Sequence, residues 1–124
     1  MTMIGAAVTD FGDEIGLPLE DLPEGAHIAL SIEGTGQVHF EHRNEQLVIY
    51  TARGLDVALD RYEVYKTALR AIHFERRLPV RVQCALHDDA LVFATRFDED
   101  EVDPQAIELA IVTLADLQQQ VRAQ

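Results

Sequence analysis

The chain has 124 residues, 48% hydrophobic but only 6% aromatic, and 22 acidic side chains against 10 basic ones give it a formal net charge of −12. That field repels phosphate backbones and anionic lipid surfaces, which argues against a nucleic-acid or membrane partner. No apolar stretch approaches the ~20 residues of a membrane span, no charged-then-apolar leader opens the chain, and the single cysteine, Cys84, excludes an internal disulfide. A cytoplasmic protein is expected.

Residues 1–124 read as one domain, without a Pro/Gly/Ser linker, repeat or low-complexity tract. Ile4, Ala7, Val8, Phe11 and Ile15 recur at helical spacing and predict an amphipathic helix ended by Gly16 and Pro18. Gly5 and Gly12 weaken that helix, so packing must support it. After a loop over 19–25, Ile28, Leu30 and Ile32 alternate with His27, Ala29 and Ser31 as a strand. Gly34-Thr35-Gly36 turns the chain into a second strand, in which Val38 and Phe40 alternate with His39 and Glu41. Asn44-Glu45 is the next turn, before Leu47-Val48-Ile49-Tyr50, a strand apolar on both faces.

Asp60 to Glu75 returns to helical period, with Tyr62, Tyr65, Leu69 and Ile72, and Ala68 beside them, on one stripe. Pro79 separates it from a strand in which Val80, Val82, Cys84 and Leu86 alternate with polar and small residues. His87-Asp88-Asp89 turns into a second alternation through Leu91, Phe93 and Phe97, completing a hairpin. Asp103 and Pro104 suit the N-cap and first position of a closing helix, whose apolar face is Ile107, Ala110, Ile111, Leu114, Leu117 and Val121. The order is α-β-β-β-α-β-β-α, an α+β fold with a five-stranded antiparallel sheet and three helices.

Charge is unevenly spread. Residues 1–60 hold 11 acids and two bases, 61–81 six bases and two acids, and 82–124 nine acids and two bases. The basic island of Arg61, Lys66, Arg70, Arg76, Arg77 and Arg81 either balances charge on a solvated helix face or meets acidic surface across a subunit boundary.

Catalytic chemistry finds little support. Ser31, the only serine, lies mid-strand without a nucleophile elbow, and Cys84 reads as a core thiol. His39 and His42 are three residues apart, but alternation sends them to opposite faces, so no metal site is expected. His27, His73 and His87 are isolated in sequence. The acidic run 98–103 has Val102 and Asp103 where a calcium loop needs a ligand and a glycine, so it reads as a solvated loop. Gly34-Thr35-Gly36 lacks the rest of a dinucleotide fingerprint. No enzyme activity and no cofactor are expected; the sheet edges, where another chain can add a strand, are the features left to carry a function.

Several phrases carry a resemblance. Phe11-Gly12-Asp13-Glu14-Ile15-Gly16-Leu17, the strands Val38–His42 and Leu47–Tyr50, the helix Tyr65–Phe74 and the strand Ala90–Phe97 together resemble the class I chaperones of type III secretion (Tir-chaperone-like effector chaperones) over nearly the whole chain. The resemblance implies a bacterial cytoplasmic homodimer, acting without ATP, that holds the N-terminal segment of an effector or other secreted protein extended and export-competent. It implies a dimer interface at Tyr62, Tyr65, Leu69 and Ile72, and client contacts among Phe11, Leu17, Ile28, Leu30, Ile32, Val38 and Phe40. Alternation groups these side chains by face without saying which face is core. An adaptor or regulatory protein-binding domain of similar fold, outside effector export, is the alternative.

Overall fold

A computed structural model describes residues 2–33, 35–56, 60–73 and 77–122. The elements are α1 (Met3–Glu14), β1 (His27–Ile32), β2 (Gly36–Arg43), β3 (Gln46–Gly54), α2 (Arg61–Ala71), β4 (Gln83–His87), β5 (Ala90–Asp98) and α3 (Pro104–Arg122). This is the expected α+β order. The five strands pair antiparallel in the order β1-β2-β3-β5-β4, which leaves β1 and β4 as the edges.

Strand alternation sorts the sheet into two faces. Leu30, Val38, Phe40, Leu47, Ile49, Leu91 and Phe93 point to the helical side and are buried with Ile107, Ala110, Leu114 and Leu117 of α3 and with Ile4, Val8 and Phe11 of α1. Gln118 of α3 donates to Thr51 Oγ1 at 3.2 Å and to the Leu91 carbonyl at 3.1 Å, tying the helix to two adjacent strands. Helix α2 lies against α3 and β4. Asp103 caps α3, its Oδ1 accepting from the Ala106 amide at 2.7 Å, as its place before Pro104 predicts.

Three local expectations change. Helix α1 stops at Glu14, so Ile15 becomes its exposed C-cap instead of extending the buried stripe. Strand β4 begins at Gln83, not Val80: residues 77–82 run beside the sheet outside the ladder. Helix α2 ends at Ala71, and the stretch 74–76, which the predicted helix and basic island reach, lies outside the described residues.

Gly5 and Gly12 lie within α1 and are tightly packed, in line with a helix that depends on packing. A Cβ on Gly5 would sit 2.0 Å from Asp21 Oδ1, and one on Gly12 would sit 2.6 Å from the Leu17 carbonyl. The chain folds back over α1 after Gly16, whose φ is +74°. The Leu17 amide bonds the Gly12 carbonyl at 2.9 Å, and Leu22 is sealed underneath. Both glycines therefore lower helix propensity at the points where this crossing requires bare backbone.

Candidate binding surface

The seven residues expected to contact a client divide into two groups. Phe11, Leu30, Val38 and Phe40 are core residues, with Phe11 of α1 packed edge to face on Phe40 of β2; Val38 and Phe40 are 0% exposed. No client can reach those four while the helix is in place. Leu17 is 42% exposed on the return loop. Ile28 and Ile32 are half-buried on edge strand β1, packed against the core from its rim.

The stripe on α2 is likewise divided. Ala68 is buried, with Val64, Ala71 and Ile72 partly buried beside it, so these residues form the core-facing side. Tyr62 is 70% and Leu69 44% exposed, two turns apart on the solvent side, with Tyr65 half-buried between them. Lys66 Nζ lies 5.9 Å from the Tyr62 ring centre. Leu86 is also exposed on β4, the edge strand that α2 touches.

Histidine alternation is as predicted, with consequences that spacing did not show. His42 points inward and is buried; its Nδ1 lies 2.8 Å from the Leu22 carbonyl and its Nε2 3.0 Å from a Glu24 carboxylate oxygen. The same carboxylate accepts from the amides of Asn44 and Glu45, which turn at φ +54° and +62°. Such a two-residue turn fits the twist of a hairpin, but its second position strains a non-glycine residue. Glu24 thus steadies a strained turn and a buried imidazole at once.

On the opposite face, His27 Nε2 lies 3.1 Å from His39 Nδ1, and the His39 ring stacks on Tyr50 at 4.7 Å and 6°. Tyr50 Oη donates to Glu41 at 3.4 Å. Partial burial, and then His27, lower the His39 pKa against the opposing pull of Glu41; burial, and then Glu41, raise that of Tyr50. His27 is isolated only in sequence. The register, which opposes His39 to Ala29 and Tyr50, brings the three rings together.

The sequence profile of the type III secretory system chaperone SycN family matches residues 3–122. The chain belongs to that family. No curated protein sequence is significantly similar to it. Solved structures share its fold at low identity. A chain of the HopA1–SchA chaperone–effector complex is 10% identical with a TM-score of 0.74, covering 98% of this chain and 94% of its own. The ExoU–SpcU heterodimeric complex from the Pseudomonas aeruginosa type III secretion system gives 16% identity, a TM-score of 0.74 and coverage of 93% and 95%. Yersinia pestis SycH, a type III secretion chaperone in complex with a YscM2 fragment, gives 19%, 0.65, and 95% and 97%.

As a SycN-family chaperone, the chain is described by surfaces more than by reactive groups. Cys84 faces inward on β4, and burial pushes its thiol pKa up, away from the reactive thiolate. Asp98, Asp100 and Glu101 bring carboxylate oxygens within 4.8 Å of one another in an exposed turn before α3. The Glu101 amide bonds the Asp98 carbonyl at 2.9 Å there, closing the turn. Among the described residues no helix is long and apolar enough to cross a membrane.

Proposed function

We propose that the chain acts as a class I type III secretion chaperone: a single-domain, cytoplasmic bacterial homodimer that holds the N-terminal segment of an effector or other secreted protein in extended form. The observation that carries this reading is the apolar surface remaining after the core has closed. Leu17 is exposed on the return loop after α1, Ile28 and Ile32 lie at the rim of edge strand β1, and Tyr62, Leu69 and Leu86 lie on α2 and the other edge strand. Single exposed leucines are ordinary on any protein; two apolar positions on one helix face beside an open edge strand suit a second copy. Membership of the SycN family and a fold shared with chaperone–effector complexes support the same reading.

An unfolded client suits the β1 edge. An added strand there would satisfy exposed backbone groups, and each large side chain fully buried would contribute about 1.5–3 kcal/mol before the cost of ordering the segment. The contacts are assigned to Leu17, Ile28 and Ile32, with Phe11, Leu30, Val38 and Phe40 as the packed floor behind them. The test is co-expression with the N-terminal segment of a secreted protein, followed by affinity capture. The segment should co-purify with the wild-type chain, and Leu17→Asp with Ile28→Asp should release it while the chaperone stays folded. Undiminished capture by that double variant would exclude this edge.

A further inference from the structure

The uncovered end of β5 presents a second surface. Strand β3 pairs with β5 from Ala90 to Asp98, but β4 pairs with it only from Ala90 to Ala94. Thr95–Asp98, about 13 Å at ~3.3 Å per residue, has no strand partner on the β4 side among the described residues. Residues 77–82 pass this gap outside the ladder, and between them and β5 runs a groove of about 900 Å³. Its floor is apolar: Ile72, Leu78, Val82 and Phe97 line it, each half-buried against the core.

Its rim is basic. Arg77, Arg81 and Arg96 line the groove, all exposed, and none makes an ion pair among the described residues. His73 lines it as well. Two acids share the wall, each bonded to a neutral donor: Asp98 Oδ1 accepts from Gln46 Nε2 at 2.8 Å, and Glu101 Oε1 accepts from the Asp98 amide at 3.3 Å, so three guanidinium groups face two carboxylates. Three of the chain's 10 basic side chains are therefore gathered on one groove in a protein of net charge −12. The lining thus carries a local excess of positive charge, concentrated on the arginine rim, in a chain that is otherwise acidic.

We propose that this groove receives an extended acidic segment of the client, with apolar side chains at alternate positions facing the floor and carboxylates meeting the arginine rim. The period-two pattern follows from strand geometry along Thr95–Asp98, and the sign of charge from Arg77, Arg81 and Arg96. The proposal rests on the chaperone reading and specifies the chemistry of the segment it holds.

The test titrates the full chain with two soluble synthetic peptides, one alternating Val with Glu and the other Val with Lys. The Val/Glu peptide should bind roughly ten-fold or more tightly than Val/Lys, the scale of one charge-assisted contact, and weaken as salt rises. It should shift the Thr95–Asp98 amide resonances. Arg81→Glu with Arg96→Glu should erase the preference, and Arg96→Gln alone should reduce it, both with unchanged thermal unfolding. Equal affinity for both peptides, or shifts confined to other strands, would overturn the proposal. So would a changed sedimentation mass of the double variant without peptide binding, since the rim would then face a second copy. If that variant captures a secreted client as well as wild type does, the groove is excluded while the chaperone reading stands. If the wild-type chain binds Val/Glu here yet captures no secreted client, the groove stands and the chaperone reading fails.

Discussion

The rings of Phe11 on α1 and Phe40 on β2 meet edge to face, 6.2 Å between centres at 65°. That contact closes the helix onto the sheet, and it makes both residues structural where a client surface was expected. Truncating Phe40 to Ala should therefore cost about 3–5 kcal/mol of stability in urea unfolding, the range for a large buried aromatic. Leu17→Asp, at an exposed position, should change stability by no more than about 0.5 kcal/mol yet weaken client capture. Equal stability losses for the two variants would contradict this division of roles.

The glycines of α1 offer a test of sign. Helix propensity alone says that Gly→Ala stabilises by about 1 kcal/mol. Close approach of the return loop says the reverse at Gly12, whose added Cβ would collide with the Leu17 carbonyl and the Leu19 side chain. Gly12→Ala should lower the thermal midpoint, whereas a rise would mean that the loop does not cross there.

Histidine 39 gives the outer face a pH dependence. Its folded pKa is lowered below the ordinary value near 6.5, first by burial and then by His27. A depressed histidine binds fewer protons folded than unfolded, so its cost is absent above about pH 6.5 and grows as pH falls toward the folded pKa. Urea stability should decline over that interval, and His39→Gln should flatten the decline. An identical pH profile for the variant would show that the ring is as free as one in solution.

Much of the fold was legible because alternation and helical spacing are local. The three faces of Ile107–Val121, Val38–Phe40 and Leu91–Phe93 follow from period alone. What period cannot convey is which of two apolar faces meets the core. On α2, Ala68 goes inward and Tyr62 and Leu69 outward, although all share the apolar pattern, because the small side chain allows close approach to α3. The candidate surface was legible only in part for the same reason. Leu17 is exposed where the resemblance expected a client contact, while the exposure of Leu86 and the arginine-rimmed groove are tertiary facts, the groove opening where β4 stops pairing with β5 at Ala94. The His27–His39–Tyr50 row depends on register.

The outward face of α2 predicts an assembly. Tyr62→Asp with Leu69→Asp should convert the proposed dimer to a monomer in sedimentation equilibrium with little loss of monomer stability, since neither side chain is core. A variant that remains dimeric would move the interface to another element.

The most direct measurement follows the client itself. A ¹⁵N- and ¹³C-labelled export segment, bound to the unlabelled chain, should show strand-type carbon shifts in short stretches and no contacts between distant parts of the segment. A segment that stays compactly folded when bound, or does not bind at all, would contradict a chaperone that works by keeping its client open.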